Sequence, residues 1–393
     1  MLAVILAAGE GTRIRPLSRG VPKPMLPVAG QPLAAHVADA AVAAGADELV
    51  FVVGYRGEAV REHFGDSHGG VPVHYAEQDE QRGTADAVHA AREHIDGPFV
   101  VLNGDNCYDP EPLSAFFEGG PAVGAQHVDD PTNYGVLTLD DGVVTGIEEK
   151  PDDPPSDLVN TGAYRFPAEA KERLEVSTSE RGERELTDVL ADVTDTHTVR
   201  PVEMERWMDV GRPWELLEAN ERYLADAEGA VAGEVHEDAE LRGPVVVEDG
   251  ATVDAGVVVE GPALVQSGAS VGPNAYIRGS TVVGPDATVG HSVEVKNSLL
   301  MRGATVAHLS YVGDSILGRD VNFGAGTQVA NLRHDGADVE LTVKGERVST
   351  GRRKFGVVCG HESKTGINAS LEPGVTLSVG ATTGAGETVA RDR

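Results

Sequence analysis

An aliphatic residue recurs at every sixth position through the C-terminal part of the chain. Glycine, proline or aspartate commonly follows it, as in Val271-Gly-Pro-Asn and Val283-Gly-Pro-Asp. Six residues suffice for one short strand and one turn, the unit of a parallel β-helix whose stacked coils share a continuous core. The repeat therefore predicts a parallel β-helix. Twelve successive positions of this period are all apolar: Val235, Leu241, Val247, Val253, Val259, Val265, Val271, Ile277, Val283, Val289, Val295 and Met301.

The period is broken in two places. The phase slips between Met301 and Leu317, and the repeat then resumes at Leu317, Phe323 and Val329. It is interrupted from about residue 332 to residue 355 and returns at Cys359, Thr365, Leu371, Leu377, Thr383 and Val389. Binding sites often lie where a solenoid departs from its repeat. The first slip contains three candidate functional residues, His308, Tyr311 and Asp314.

The first 230 residues follow a different pattern, in which short apolar runs alternate with helical periodicity. We predict strands at 2–6, 48–53 and 99–102 and helices at 32–44 and 57–64. This alternation is typical of a doubly wound α/β sheet whose parallel strands are buried on both faces. The sequence therefore predicts a Rossmann-like α/β domain at 1–228 and a β-helix domain at 229–393.

Acidic side chains outnumber basic ones. The 393 residues include 63 Asp and Glu against 32 Lys and Arg, for a formal net charge of −31, and only seven of the cations are lysines. Nucleic acids and anionic membranes bind cationic surfaces, so the charge argues against both as partners. Salt screens such self-repulsion, and the lysine-poor acidity therefore indicates a halophile.

The cysteines and the N-terminal residues indicate the compartment. Cys107 and Cys359 are far apart and match no metal or disulfide spacing, which favours a reducing cytoplasm. The apolar stretch at residues 1–8 has no cationic region before it, and no later run approaches the twenty apolar residues of a membrane helix. We expect a cytoplasmic protein.

A glycine-rich loop follows the first predicted strand. It reads Ala8-Gly9-Glu10-Gly11-Thr12-Arg13, and Lys23 follows between two prolines. The glycines alone would also fit a tight turn between a strand and a helix. With Arg13 and Lys23 at this spacing, however, backbone N–H groups and two cations could bind a triphosphate. The segment resembles the sugar-1-phosphate nucleotidylyltransferase family.

This resemblance implies roles for further residues and an in-line attack of a sugar-1-phosphate on the α-phosphorus of a nucleoside triphosphate. Arg13 and Lys23 would be catalytic, and Asp105 and Asp209 would bind Mg²⁺. The nucleotide would contact Ala8, Gly9, Gly11, Thr12, Gln78, Gly83 and Thr84. The sugar and its phosphate would contact Tyr134, Gly135, Glu148, Lys150 and Asn160.

The segment around His308 resembles the bifunctional GlmU family. It reads Ala307-His308-Leu309-Ser310-Tyr311-Val312-Gly313-Asp314. The resemblance implies a left-handed β-helix, a homotrimer, and acetyl transfer from acetyl-CoA to glucosamine-1-phosphate with His308 as the base. A lone histidine on a solenoid is more often structural, but its companions favour the catalytic role. The implied substrate-binding companions are Arg278, Lys296, Tyr311, Asn322 and Asn331.

The chain departs from the bacterial pattern after Asn331. The segment 332–334 replaces an aromatic residue, and the longer insertion after it resembles archaeal members of the family. Arg352, Arg353 and Lys354 form a cation run that fits equally a solvated loop tip or a contact for the phosphates of acetyl-CoA. The loop before Lys23 is closer to glucose-1-phosphate thymidylyltransferases, which leaves UTP and dTTP both open.

The leading hypothesis is a bifunctional enzyme that makes UDP-N-acetylglucosamine. One alternative is a single-activity glucose-1-phosphate thymidylyltransferase or uridylyltransferase in which the β-helix serves assembly. The other is a non-catalytic regulatory subunit, which we expect to have lost Arg13, Lys23, Asp105 or Asp209. All four are present.

Overall fold

The computed structural model of the chain describes residues 1–179 and 182–393. These residues pack into two units. The first unit comprises Met1–Glu10, Gly20–Leu26 and Pro32–Asp209, and the second comprises Gly11–Arg19, Pro27–Gln31 and Val210–Arg393. The second unit therefore includes two short N-terminal segments as well as the C-terminal half of the chain.

Strands and helices alternate along the first 209 residues. The predicted strands at 2–6 and 48–53 and the helix at 57–64 are confirmed with their bounds, whereas the strand predicted at 99–102 extends one residue further. In chain order the elements are β1 (Leu2–Leu6), β2 (Pro27–Val28), β3 (Gln31–Pro32), α1 (Leu33–Ala44), β4 (Glu48–Val53), α2 (Gly57–Phe64), β5 (Ser67–His68), β6 (Val71–Glu77), α3 (Thr84–Ala90), β7 (Phe99–Asn103), β8 (Asn106–Cys107), α4 (Pro110–Leu113), β9 (Ala122–His127), β10 (Gly135–Asp140), β11 (Val143–Glu149), β12 (Leu158–Phe166), α5 (Leu186–Thr194), β13 (Arg200–Glu203) and β14 (Met208–Asp209). Short 3-10 helices add Thr12–Ile14, Lys23–Met25, Arg92–His94, Ser114–Phe116, Pro131–Asn133 and Ala168–Arg173.

The first unit is built on a mixed sheet in the order β11-β10-β12-β7-β1-β4-β6-β5, with β9 pairing with β12 and β13. The strands β7, β1 and β4 are parallel, as predicted, and β6, which the sequence analysis did not predict, joins β4 in parallel. The strands β1, β4 and β7 are apolar on both faces because both faces are covered, and Ala3, Val4 and Ile5 have no exposed surface. The sheet is not parallel throughout, because β12 pairs antiparallel with β7 and extends the sheet with β10 and β11.

The strand order reverses at β1. The chain adds β4 and then β6 on one side of β1, and it returns to place β7 on the other side. In an open α/β sheet, the crevice outside the carboxyl ends of the strands at such a point is where ligands bind. The glycine-rich loop begins at the end of β1, and Asp105 follows the end of β7.

The second unit contains the helix α6 (Pro213–Ala225) and a long series of short strands. These strands are β15 (Ala230–Val231), β16 (Glu234–Val235), β17 (Glu240–Arg242), β18 (Val245–Val247), β19 (Thr252–Val253), β20 (Val258–Glu260), β21 (Ala263–Val265), β22 (Ser270–Val271), β23 (Tyr276–Arg278), β24 (Thr281–Val283), β25 (Thr288–Val289), β26 (Glu294–Lys296), β27 (Leu299–Leu300), β28 (Thr305–Val306), β29 (Tyr311–Gly313), β30 (Ile316–Leu317), β31 (Asn322–Phe323), β32 (Gln328–Val329), β33 (Glu340–Val343), β34 (Glu346–Ser349), β35 (Val358–Cys359), β36 (Lys364–Thr365), β37 (Ser370–Leu371), β38 (Thr376–Leu377) and β39 (Thr388–Val389). Among the described parts of the chain, no helix has both the length and the apolarity needed to span a membrane.

Most of these strands form three parallel sheets, each of which takes every third strand. The first face is β15-β18-β21-β24-β27-β30-β35-β38, the second is β16-β19-β22-β25-β28-β31-β36, and the third is β17-β20-β23-β26-β29-β32-β37-β39. Three strands therefore make one coil, which is the arrangement of the predicted left-handed β-helix. The inward aliphatic residues of all three faces stack into one core.

The register of the coils corrects one detail of the sequence pattern. Val283 pairs with Leu300, and Leu300 pairs with Leu317, so Leu300 rather than Met301 occupies the core position. The spacing shortens to five residues before Leu300 and again between Val312 and Leu317. The first phase slip thus precedes Met301, because one turn is a residue shorter.

The predicted interruption of the repeat is confirmed. Between β32 and β35 the chain leaves the coils and forms an antiparallel hairpin of β33 and β34. A single bridge between Leu332 and Lys354 closes the base of this excursion, and Val339 and Leu341 are buried within it. The excursion is an ordered insertion in the solenoid.

A buried histidine holds the segment 11–19 inside the second unit. His361 Nε2 lies 2.8 Å from the carbonyl oxygen of Leu17, and its Nδ1 accepts a hydrogen bond from the backbone N–H of Arg319 at 2.9 Å. The side chain must therefore be the neutral tautomer that carries its proton on Nε2. Burial, with the nearby positive charge of Arg319, lowers the pKa of His361 below its usual value.

We predict that this histidine weakens the protein in mild acid. Because its pKa is lower in the folded than in the unfolded state, the unfolded chain binds more protons once the pH falls below the ordinary histidine pKa. The free energy of unfolding then falls by at most about 1.4 kcal/mol per pH unit until the folded pKa is reached. Calorimetry at about pH 7.5 and about pH 5.5 should show a smaller loss of Tm for His361→Gln than for wild type. The exposed His236→Gln is the control, and equal losses for all three proteins would refute the prediction.

Candidate active sites

The ammonium of Lys23 lies between two carboxylates in the first unit. Its Nζ is 2.5 Å from Asp105 Oδ2 and 3.6 Å from Asp209 Oδ1. Lys23 is only 5% exposed, in a 3-10 helix that follows the extended Pro22. A buried ammonium is stable only with partners of opposite charge, so these three side chains form one electrostatic group.

Strand pairing explains why the two aspartates meet. The antiparallel pair β8 and β14 places Asn106 opposite Asp209, which brings the segment after residue 208 beside the end of β7. The backbone N–H of Gly104 donates to the carbonyl of Leu6 at 2.9 Å, and this bond holds the turn that carries Asp105 against the end of β1. The group therefore lies at the carboxyl ends of β1 and β7, where the strand order reverses.

The donor set of this group fits magnesium. Mg²⁺ prefers oxygen ligands and is commonly held by one or two carboxylates, with water and substrate phosphates completing its shell. Within residues 1–179 and 182–393, no three His, Cys, Asp or Glu side chains are placed to hold a metal by themselves. Asp105 and Asp209 are carboxylates of the kind that such a site uses.

A cavity of about 290 Å³ adjoins Asp105. It contains six of the residues predicted from the sequence to bind nucleotide or metal, and it adds Gln81, Asn103 and Glu183. The amide nitrogen of Gln81 donates to the carbonyl of Ala8 at 2.8 Å, which ties the two sides of the cavity together. The lining residues are Leu6, Ala8, Gly9, Gln78, Gln81, Gly83, Thr84, Ala87, Asn103, Asp105 and Glu183.

Gln78 and Gly83 shape this cavity. The side-chain amide of Gln78 donates to the carbonyl of Gly83 at 3.1 Å and to Asp86 Oδ2 at 3.0 Å. Gly83 has a φ of +117°, and a Cβ there would lie 2.2 Å from the carbonyl oxygen of Arg184. Only glycine fits this position, which explains the glycine in the predicted nucleotide-binding segment.

Thr12 and Arg13 belong to the second unit. Gly11, in the left-handed conformation, precedes the 3-10 helix Thr12–Ile14, in which Ile14 is buried while Thr12 and Arg13 are exposed. The Ser18 hydroxyl donates to the carbonyl of Gly11 at 2.7 Å and tightens this loop.

The residues predicted to hold the sugar fall on neighbouring strands of the first unit. Gly135 opens β10 and pairs with Glu149, and the N–H of Lys150 donates to the carbonyl of Tyr134 at 2.9 Å. Asn160 is buried on β12, where its side-chain oxygen accepts from the N–H of Gly162 at 2.8 Å. The Glu148 and Lys150 side chains are exposed.

Four residues predicted for the C-terminal site converge on the third face of the β-helix. Arg278 pairs with Lys296 in adjacent coils, and Tyr311 occupies the next coil. The amide of Asn331 donates to the Tyr311 hydroxyl at 3.1 Å. Burial, with the nearby charge of Asp314, raises the pKa of Tyr311, so its hydroxyl keeps its proton at neutral pH and can donate.

His308 and Asn322 lie outside that group. His308 is an exposed residue at the corner between the second and third faces, and its carbonyl accepts from the N–H of Gly326 at 3.0 Å. Asn322 is exposed on the second face, paired in register with Lys364. The five predicted companions of His308 are therefore divided between two faces.

The predicted cation run is not uniform. Arg353 and Lys354 are exposed, whereas Arg352 is partly buried and its guanidinium bonds the carboxylate of Glu221 on α6. Arg352 thus differs from the two cations that follow it.

The sequence matches known families along nearly all of its length. The nucleotidyl transferase family matches residues 2–226, and the GMPPB C-terminal domain matches residues 259–357. The bifunctional protein GlmU of Methanocaldococcus jannaschii is 40% identical over 395 residues, which cover 100% of this chain and 95% of that protein. The chain belongs to the GlmU family. A bifunctional sugar-1-phosphate nucleotidylyltransferase/acetyltransferase of Sulfurisphaera tokodaii is 35% identical, over 100% of this GlmU-family chain and 98% of its relative.

One solved structure supports the fold of the first unit of this GlmU-family chain. A UDP-glucose pyrophosphorylase complexed with UDP-glucose superposes with a TM-score of 0.53 at 24% identity. It covers 57% of this chain and 98% of the solved chain. At that identity the likeness shows the α/β fold of the nucleotidyl transferase part alone.

The sequence analysis of this GlmU-family chain missed two residues that lie beside the predicted sugar-binding residues. Glu149, which directly follows Glu148, lies opposite Gly135 in the strand pairing. Trp207 packs edge-on against Tyr134, with ring centres 5.5 Å apart, and is 9% exposed. The sequence signal for Trp207 is its position directly before Met208-Asp209.

A glycine substitution tests how tightly the first site of this GlmU-family chain is packed. Gly162 has a φ of +73°, and a Cβ there would lie 2.2 Å from Asn103 Nδ2. We expect Gly162→Ala to lower the free energy of unfolding by about 1–3 kcal/mol in urea denaturation. Gly146→Ala is the matched control, because its Cβ would meet nothing nearer than Thr138 Cβ at 3.9 Å. Equal effects of the two substitutions would contradict the packing described.

Proposed function

We propose that this chain is a bifunctional enzyme that makes UDP-N-acetylglucosamine. It would acetylate glucosamine-1-phosphate with acetyl-CoA and then couple N-acetylglucosamine-1-phosphate to UTP with release of pyrophosphate. The observation that carries the proposal is the presence of two separate polar groups, one in each unit. The first is Lys23 with its two aspartates, and the second is the group of Arg278, Lys296, Tyr311 and Asn331. Similarity to bifunctional relatives along the whole chain supports this assignment.

The nucleotidyl transfer is an in-line displacement. An oxygen of the sugar phosphate attacks the α-phosphorus, the bond to the bridging oxygen breaks, and pyrophosphate leaves. The attacking phosphate is already anionic, so the reaction needs no general base. Arg13 and Lys23 would stabilise the charge on the phosphates and align them. Bound by Asp105 and Asp209, Mg²⁺ would supply further neutralisation of phosphate charge.

The remaining predicted residues would position the two substrates. The backbone of Ala8, Gly9, Gly11 and Thr12 would approach the phosphates. The base would contact Gln78, Gly83 and Thr84, which is compatible with UTP or dTTP. The sugar and its phosphate would lie against Tyr134, Gly135, Glu148, Lys150 and Asn160.

The acetyl transfer is an attack by an amine on a thioester. His308 would take a proton from the amino group as its nitrogen attacks the acetyl carbon, after which the carbon–sulfur bond breaks and the thiolate of coenzyme A leaves and is protonated. Arg278 and Lys296 would bind the sugar phosphate. Tyr311, Asn322 and Asn331 would hold the sugar and the acyl group, and Arg353 and Lys354 remain exposed for the phosphates of acetyl-CoA.

The proposal also covers the domain organisation, the oligomeric state and the cellular location of the protein. It assigns nucleotidyl transfer to a domain at 1–228 and acetyl transfer to a domain at 229–393. The β-helix would assemble the chain as a homotrimer. The net charge of −31 supports a cytoplasm with high salt as its location, and it argues against nucleic acids and membranes as partners.

We predict that Lys23→Met abolishes most nucleotidyl transfer while leaving acetyl transfer intact. The loss of a preorganised cation at the phosphates should lower kcat/KM by roughly 10²–10³. The assay measures pyrophosphate in high KCl, with UTP or dTTP against glucose-, glucosamine- and N-acetylglucosamine-1-phosphate. Unchanged acetyl transfer reports that the second unit is folded, and a far-UV circular dichroism spectrum like that of wild type reports the same for the first unit.

Lys171→Met is the control for this substitution, because it makes the same change at a lysine outside the Lys23 group. The Lys171 ammonium bonds the carbonyl of Ile95. Highest kcat/KM with glucose-1-phosphate would favour the single-activity alternative. An unchanged rate for Lys23→Met would contradict the assigned site.

We predict the opposite separation for His308→Ala. Acetyl transfer, measured as free coenzyme A, should fall by roughly 10²–10⁴ because the base is lost, and nucleotidyl transfer should be unchanged. His291→Ala is a close control, since His291 is exposed at the same corner one coil earlier and its carbonyl accepts from the N–H of Leu309. If wild-type protein releases no coenzyme A while nucleotide sugar still forms, the second activity is wrong.

A further inference from the structure

Two carboxylates of the second unit are joined by one side-chain amide. The Nδ2 atom of Asn297 lies 2.6 Å from Glu221 Oε1 and 3.0 Å from Asp314 Oδ1. A primary amide has two N–H donors, so Asn297 can donate one hydrogen bond to each carboxylate. Glu221 lies on α6 and Asp314 directly follows β29, so this amide links the helix to the third face of the β-helix.

Asp314 is the centre of the contacts around the proposed sugar-phosphate residues. Lys296 Nζ lies 2.9 Å from its Oδ1 and 2.7 Å from its Oδ2, and Asn331 Nδ2 lies 2.5 Å from Oδ2. Asn331 Nδ2 also lies 3.1 Å from the Tyr311 hydroxyl. The Asp314 side chain is 3% exposed, so these charged hydrogen bonds form away from water and hold their geometry firmly.

The geometry at Lys296 leaves a donor for substrate. An ammonium has three N–H groups, and the two oxygens of Asp314 accept two of them. One N–H remains for a phosphate oxygen, and its direction is set by where Asp314 lies. Any group that fixes the position of Asp314 therefore also fixes the direction of the remaining N–H of Lys296.

Glu221 also receives the guanidinium of Arg352. One terminal nitrogen of Arg352 is 3.1 Å from Glu221 Oε2, and the other bonds Oε1. Two parallel hydrogen bonds between a guanidinium and a carboxylate fix the planes of both groups. With these nitrogens engaged, Arg352 is poorly placed to bind a phosphate of acetyl-CoA.

The helix that carries Glu221 is itself firmly held. The neighbouring Asn220 is completely buried, and its side-chain oxygen accepts from the N–H of Ala29 at 2.8 Å. Leu216, Leu217 and Leu224 are buried on the same helix. Glu221 is therefore presented from a rigid element, as a supporting residue needs to be.

We propose that Glu221 is a positioning residue for acetyl transfer. Through Asn297 it fixes Asp314, and Asp314 in turn holds the Lys296 ammonium and the Asn331 amide. Arg352 holds the Glu221 carboxylate in place, and other cations would bind the phosphates of coenzyme A. The inference rests on the proposed acetyl-transfer function, which places the sugar phosphate at Lys296.

Steady-state kinetics of coenzyme A release separate this role from direct binding. Glu221→Gln and Arg352→Met should each raise the KM for glucosamine-1-phosphate roughly tenfold, because the phosphate contact is displaced, and should leave the KM for acetyl-CoA unchanged. Glu218→Gln is the matched control, because Glu218 is exposed nearly one turn earlier on α6 and its charge also acts on Arg352, whereas the hydrogen bonds of Glu221 stay in place, so this variant should resemble wild type. An unchanged KM for acetyl-CoA reports that the second unit is folded, and unchanged nucleotidyl transfer reports the same for the first unit.

Two kinetic results would overturn the proposal. A rise in the KM for acetyl-CoA alone in Arg352→Met would mean that Arg352 binds coenzyme A directly. Wild-type constants in Glu221→Gln would mean that the helix does not support the site.

Chemical labelling tests the same contact without any enzymatic activity. Trace acetylation of lysines by acetic anhydride, read by mass spectrometry, compares Lys296 with the exposed Lys344. Labelling of Lys296 should rise several-fold in Glu221→Gln and stay at the wild-type level in Glu218→Gln. If wild type proves unable to transfer acetyl groups but this rise is seen, the proposed function fails while the support of Lys296 by Glu221 stands. Unchanged labelling would refute that support.

Discussion

The pairing of scarce cations with carboxylates is the constraint on which both sites depend. In a chain of charge −31, four of the proposed phosphate-binding cations have an acidic neighbour: Lys23 has Asp105, Lys296 has Asp314, Arg278 has Glu294 and Lys150 has Glu149. A buried cation without such a partner would be unstable. The carboxylates thus hold the cations in place before any substrate arrives, and a phosphate must compete with them or use the donors that they leave.

The solenoid core determines where the second group can form. Inward aliphatic residues fix the register of every coil, so the outward residues of one face stand in ladders, as Arg278 does beside Lys296. Residues one coil apart in sequence therefore become neighbours on the same face. The same rule limits each ladder to one face, and for that reason Asn322 stands apart from Tyr311.

The sequence predicted the architecture well because repetition and alternation are collective signals. The six-residue period located the β-helix, and its interruption after residue 332 is confirmed. It could not place Leu300, because Leu300 and Met301 are both apolar and only pairing with Val283 distinguishes them. The parallel strands β1, β4 and β7 were predicted and β6 was not, whereas the antiparallel pairing of β12 depends on tertiary contacts that no local pattern encodes.

Motifs indicate which residues to expect at the candidate sites, but they do not indicate which of those residues contact one another. Lys23, Asp105 and Asp209 come from three separate motifs, and the structure brings them together. The cation run at 352–354 looked uniform in sequence, because nothing local reveals that Glu221, 131 positions away, takes Arg352. Likewise, two consecutive glutamates at 148 and 149 are equivalent until the pairing of β10 and β11 distinguishes them.

The division of the N-terminal loops between the units bears on how such a protein could be taken apart. Leu17 is bonded to His361, Ala29 to Asn220, and Gly30 to Gln266 at 3.2 Å, all inside the second unit. A fragment cut after the nucleotidyl transferase region would keep Ala29's partner but lose those of Leu17 and Gly30. The two halves are therefore poorly suited to recombination, because a gene fusion that exchanged the β-helix would also have to re-create the partners of Leu17 and Gly30.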